Sequence, residues 1–129
     1  MKKVEKLIGK GNAWFYLVFR LLVGLLFFMH GWMKFSGEQA PVGMFLAAGI
    51  IELVVGAGVF LGAFTRGLAL IGAVEMLVAF FTAHVSQGWN PLANKGEPAV
   101  LFFAAFLVLA VYGAQKWSLE RALLKKESL

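Results

Sequence analysis

Three charged residues stand inside long apolar stretches of the sequence: Arg20, Glu52 and Glu75. Facing lipid near the centre of a helix, each would cost about 2.5 kcal/mol or more. They are therefore expected to face a protein interior and compensate one another. At 1.5 Å per residue Arg20 lies roughly 9 Å into its stretch and Glu75 roughly 12 Å, with Glu52 near 18 Å. The simplest arrangement is an Arg20–Glu75 pair with Glu52 close by, since the arginine fork can serve two carboxylates. Such a trio could lock helix register, as buried ion pairs often do. Two carboxylates against one guanidinium, however, leave one formal negative charge unmatched, which suits a group that exchanges protons. Arg20, Glu52 and Glu75 are the candidate catalytic residues on this reasoning.

A second polar group gathers toward the opposite end of the same stretches. His30 and Lys34 are one helical turn apart, His84 closes the third stretch, and Glu97 opens the fourth. The two histidines fall at similar depth. Together these four could bind a metal or a quinone headgroup, or relay protons. Two histidines at one depth could also ligate a haem, but nothing besides depth supports haem, and no metal site is assigned.

The elements that must position these groups are helices in a bilayer. Of 129 residues 60% are hydrophobic and 15% charged, with a mean hydropathy of +0.80. A soluble domain carries about 25% charged residues. Four runs approach the roughly 20 apolar residues that cross a hydrocarbon core: about 14–35, 43–64, 67–85 and 98–115. They are continuous and do not alternate at period two, so helices are expected and not a barrel. The first run is too long for a signal peptide and lacks a cleavage site. Ser36 to Pro41, Thr65-Arg66-Gly67 and Ser86 to Pro98 supply the turns, with Pro98 suited to the first turn of the fourth helix. Residues 1–129 are expected to form one all-α integral membrane domain, a four-helix bundle.

Charge gives the direction. Lys2, Lys3, Lys6, Lys10, Arg66, Lys116, Arg121, Lys125 and Lys126 share one side, against Lys34 and Lys95 on the other. The positive-inside rule places both termini in the cytoplasm. This clustering at chain ends is a topology signal and not a nucleic-acid patch. Trp14, Trp32, Trp89 and Trp117 fall near span ends, where interfacial anchors belong. From Trp117 to Leu129 the tail reads as a short amphipathic helix capped by Ser118, its Leu119, Leu123 and Leu124 lying on the inner leaflet. Gly43, Gly49, Gly56, Gly58 and Gly62, with Gly24 and Gly31 on the Arg20 face, should let helices approach closely.

From Arg20 to Phe35 the residues RLLVGLLFFMHGWMKF resemble the opening helix of the DoxX family. The likeness continues through Gly49-Ile50-Ile51-Glu52, Leu61 to Arg66, Glu75 to Ala79, His84 and Gly96-Glu97, covering about residues 12–120. The resemblance implies a four-helix bundle in the cytoplasmic (inner) membrane of a bacterium or archaeon. It further implies association with quinone-linked redox chemistry or with quinone or catechol detoxification. The expected ligand is a quinone, with His30, Lys34, His84 and Glu97 toward its headgroup. With no cysteine, no nucleotide-binding fingerprint and no haem-attachment motif, electrons must come from a membrane or soluble oxidoreductase partner or a noncovalent cofactor. A homo-oligomer is compatible with the chain. Competing readings are a non-catalytic assembly subunit and a small proton-coupled transporter using Glu52 and Glu75.

Overall fold

The computed structural model describes residues 1–126, and these contain helices and loops only. The helices are α1 (Lys2–Phe35), α2 (Gly43–Leu61), α3 (Thr65–Ala79), α4 (Glu97–Tyr112) and a short α5 (Leu119–Leu124). Without a break α3 passes into a π-helical turn, Phe80–His84, and then a 3₁₀ turn, Val85–Gln87. α1, α2 and the run Thr65–Gln87 are each long and apolar enough to cross a membrane. α4 is apolar but has 16 residues, about 24 Å of helix. It stops before the expected Gln115 because Gly113 leaves helical geometry at φ 71° and ψ −161°. At its other end Pro98 occupies the first turn, as expected.

α1 starts at Lys2, well before the apolar run at Trp14, and is 34 residues long. That is about 51 Å of helix, more than the roughly 30 Å a hydrocarbon core requires. Its residues 2–10 are all exposed, so this charged segment projects past the bundle. The apolar side chains exposed along the bundle itself, among them Leu22, Leu25, Ile50, Val54, Val74, Leu77, Leu101 and Val108, form the coat expected of a protein solvated by lipid.

Backbone contact joins α1 to α2. A Cβ on Gly24 would lie 2.5 Å from Phe60 N, and one on Gly56 2.4 Å from Phe28 N. One helical repeat away, a Cβ on Gly31 would meet Leu53 N at 2.8 Å, and Gly49 lies against the ring of Phe35. Two glycines seven residues apart on each antiparallel helix thus set their register, as small residues do where helices pack in lipid. α3 meets α4 through Gly72, which the Phe106 ring covers. Between the two pairs lies the core, in which Phe27 stands edge-on to Phe106 at 4.7 Å beside Val55, Val59, Ala73 and Leu109.

We call basal the end where α2 turns into α3, and apical the opposite one. At the basal end Gly62 closes α2 in the left-handed region, φ 73°. A Cβ there would also press on Ser118 Cα at 2.9 Å and Arg20 Nη1 at 3.0 Å, so this glycine answers both a conformational and a steric need. The Gly62 carbonyl accepts from Ser118 Oγ (2.8 Å), and Glu120 Oε2 accepts from Phe64 N (3.1 Å). The expected C-terminal helix is present, and Ser118 caps it by accepting from Arg121 N at 3.1 Å. It is docked on the bundle by Ser118 and Glu120, both buried, while Leu123 and Leu124 point outward. The helix expected from sequence runs on to Leu129; residues 127–129 lie outside the described residues.

Candidate functional site: a side-opening cavity between α2 and α3

An ion pair leads into the site. Lys34 Nζ lies 2.5 Å from Glu52 Oε2, with both side chains largely withdrawn from solvent. The backbones dictate this meeting. Side chains on a helix tilt toward its N-terminus, so on antiparallel α1 and α2 Lys34 leans basally and Glu52 leans apically. Gly49, one turn from Glu52, has the Lys34 Cβ against it, and the lysine stem passes over it. The ammonium also sits 5.2 Å from the Phe45 ring centroid, a cation–π contact.

Beside this pair a cavity of about 990 Å³ opens between α2 and α3, with α1 and α4 behind it. Phe27, Ala48, Ile51, Met76, Ala99 and Phe102 give it apolar walls, whereas His30, Lys34, Glu52, Glu75, His84 and Lys95 carry its polar groups. Met44, Phe45, Ile71, Val74 and Val78 line it and are also exposed on the outside of the bundle. The mouth therefore faces sideways, toward what would be lipid. Both carboxyl oxygens of Glu75 are shielded from solvent and have no hydrogen-bond partner. A buried carboxyl left so costs several kcal/mol unless a bound group or a proton satisfies it. The arrangement can hold an amphiphile, apolar body between the helices and polar head at Glu75, and can exchange a proton with that head.

The π turn brings His84 to the same wall. Nine residues of ideal α-helix would place His84 roughly 180° around α3 from Glu75, and a π turn absorbs an extra residue, reducing this to roughly 80°. Such turns recur at functional sites. His84 Nδ1 lies 3.1 Å from the carbonyl oxygen of Asn94.

Two expectations are corrected. Arg20 does not pair with Glu75, nor lie with Glu52 in one trio. Its guanidinium turns basally and donates to the carbonyls of Ala114 (2.6 Å), Lys116 (2.8 Å), Phe60 (3.3 Å) and Trp117 (3.0 Å). Matching depths placed Arg20 and Glu75 together, but the side chain follows the N-terminal tilt of α1 toward the negative ends of α2 and α4. The apical group is likewise divided. His30, Lys34 and His84 line the main cavity, whereas Glu97 lines a smaller groove of about 420 Å³ on the α1–α4 side, which His30, Pro98 and Phe102 share with the cavity. The two predicted polar layers thus merge: Glu52 and Glu75 join His30, Lys34 and His84, leaving Arg20 and Glu97 outside.

Sequence reasoning missed Asn94, which is fully buried, and Lys95 at the cavity wall. Asn94 sits in the turn-forming run Asn90-Pro91-Leu92-Ala93-Asn94-Lys95-Gly96, where asparagine is expected on local grounds alone. Glu120, also buried, sat in a tail read as surface-bound.

The helices, their glycine contacts and the polar cavity can be set beside known proteins. The DoxX family model matches residues 15–85. The chain belongs to the DoxX family. An uncharacterized protein of Haemophilus influenzae is 37% identical over 92% of this chain and 98% of its own length. The Escherichia coli inner membrane protein YqjF is 33% identical, covering 98% of this chain and 99% of the relative. A Bacillus subtilis protein bearing the name "Putative oxidoreductase CatD" is 27% identical over 81% of this chain and 83% of its own. No solved structure matches at a significant level. As a DoxX protein with several apolar helices of spanning length, this is a multi-pass membrane protein.

Proposed function

We propose that this DoxX protein is a quinone-interacting, redox-associated subunit of the bacterial cytoplasmic membrane, with both termini in the cytoplasm, working beside a partner oxidoreductase. The observation that carries this reading is the buried, unpartnered Glu75 carboxyl at the wall of a lipid-facing cavity. A quinone is an apolar ring with polar oxygens that dissolves in the bilayer, and it fits that division of walls. When bound it supplies two-electron, two-proton chemistry. The chain's own residues do the rest. Phe27, Phe45 and Phe102 flank the ring's path, Lys34 and Glu52 neutralise each other, and Glu75 or His84 exchanges a proton with the headgroup. The chain has no cysteine and no nucleotide-binding fingerprint, so electrons enter from the partner. The name carried by the Bacillus subtilis relative is compatible with redox work. The basic residues at both chain ends and Arg66 support the orientation.

The test is quinone occupancy. Protein purified from native membrane in mild detergent is extracted and its quinone measured against the protein. Glu75→Gln, which removes the exchangeable carboxyl proton and keeps the shape, is expected to lower occupancy severalfold, and Val74→Phe on the mouth is expected to do the same. Wild-type protein free of quinone that also fails to take up added short-chain quinone would refute the proposal.

A further inference from the structure

We infer that Asn94 is a positioning residue that fixes the tautomer of His84, making His84 Nε2 a hydrogen-bond acceptor in the cavity beside the Glu75 carboxyl and favouring ligand heads that carry a hydroxyl or N–H donor. The selectivity rests on the cavity being a ligand site, as proposed above, whereas the tautomer needs no ligand at all.

The carbonyl oxygen of Asn94, 3.1 Å from His84 Nδ1, accepts hydrogen bonds and cannot donate one. The contact therefore places the ring proton on Nδ1. A neutral imidazole carries one N–H, so Nε2 keeps its lone pair. That is the reverse of the form a free histidine favours in water. The ring lines the cavity with its Nδ1 edge committed to the loop, which leaves Nε2 for whatever enters.

The carbonyl is held in place with unusual care for a surface loop. Asn94 is fully buried. Its Nδ2 donates to Gly88 O at 2.7 Å, and its Oδ1 accepts from Gly96 N at 2.8 Å. Its backbone N–H donates to Asn90 O at 2.9 Å. Three hydrogen bonds thus fix both faces of the residue whose carbonyl meets the ring. The loop is also packed onto the π turn, because a Cβ on Gly96 would come within 2.8 Å of both Asn94 Oδ1 and the Phe80 ring. The residue that organises the loop is therefore coupled to the helical turn that presents His84. A loop needed only to connect two helices has no requirement for an oriented carbonyl at this ring.

The protein contains two histidines, so selectively ¹⁵N-labelled histidine gives a spectrum that His84→Phe assigns by difference. At pH 8, where an ordinary imidazole is neutral, the native full-length protein in detergent is expected to show His84 with a protonated Nδ1 and a bare Nε2. Asn94→Ala should move it toward the opposite tautomer, and Asn94→Asp, which keeps the acceptor for Gly96 N but sets an oxygen in place of the donor to Gly88 O, should recover only part of the native signature. A loss of fold would not mimic this pattern, and the native spectrum alone decides the tautomer: a protonated Nε2 there overturns the inference.

The second arm compares 4-nonylphenol with 4-nonylanisole, the same shape without the donor. The native protein is expected to bind the phenol roughly fivefold more tightly, the worth of one neutral hydrogen bond. His84→Phe should abolish the difference. Equal affinities in the native protein, or a preference that survives His84→Phe, would overturn the acceptor role. Binding of neither probe would overturn the cavity as a ligand site, and the selectivity with it. Binding of both with a protonated Nε2 would overturn the assignment to Asn94 and leave the cavity reading standing.

Discussion

Lys34→Met tests the ion pair at the cavity. The pair is close, 2.5 Å, and the side chains are only 16% and 6% exposed. At an effective dielectric of 20, unit charges at that separation attract by roughly 6–7 kcal/mol. Desolvation costs several kcal/mol for each ion, so the pair as a whole adds little net stability. Removing one partner is different, because Glu52 would stay buried next to Glu75 with nothing opposite. A loss of about 3–5 kcal/mol is expected for Lys34→Met. Glu52→Gln should cost less, since Lys34 can snorkel toward the apical surface. The double variant Lys34→Met/Glu52→Gln should recover at least ~2 kcal/mol of the Lys34→Met loss, a coupling typical of residues in contact. Equilibrium unfolding of the four proteins in mixed micelles measures each term. Losses that add within about 0.5 kcal/mol would mean that the pair is not made, and the account of how Lys34 and Glu52 shape the cavity would fall.

Gly56→Ala should destabilise by about 1–3 kcal/mol through overpacking, because its Cβ would meet the α1 backbone at 2.4 Å, whereas Gly9→Ala, with nothing within 4 Å, should be neutral or gain up to about 1 kcal/mol of helix propensity; the same micelle unfolding assay ranks them. Arg20→Met strands four carbonyl acceptors at the basal end and should cost at least ~3 kcal/mol. It should speed tryptic release of the tail at Arg121 while leaving quinone occupancy per folded molecule unchanged, and a selective loss of quinone would contradict the separation of Arg20 from the cavity. Because the chain has no cysteine, single substitutions report topology cleanly. An impermeant thiol reagent on intact cells should label Leu92→Cys and spare Lys3→Cys, and the reverse pattern would invert the proposed orientation.

Much of the architecture was legible before any coordinates, because lipid imposes simple terms. An apolar run of about 20 residues must satisfy its own backbone and therefore becomes a helix. The α1–α2 and α3–α4 connections were readable from Gly, Pro and Asn, and the close glycine approach from Gly24, Gly31, Gly49 and Gly56. Helix ends were less legible. α1 extends back to Lys2 because the polar residues before Trp14 are compatible with helix even though they are not apolar, and α4 ends early at a positive-φ Gly113 whose conformation no local pattern announced.

The site divides along the same line. Residue types at expensive places, Glu52 and Glu75 within apolar runs, identified by sequence alone two of the groups that line the cavity, because burying a carboxylate in a membrane demands a reason. Which group meets which was decided in three dimensions. Depth along an axis says nothing about azimuth or about the tilt of a side chain, so Arg20 was placed with Glu75 when its tilt carries it to the carbonyls of Phe60 and Ala114, and Lys34 takes the place beside Glu52. The π turn that carries His84, and the buried Asn94 whose carbonyl meets its ring, lie together where Gly96 of the 88–96 loop packs on Phe80. Contacts of that kind join residues from separate elements, and only the folded chain brings them together.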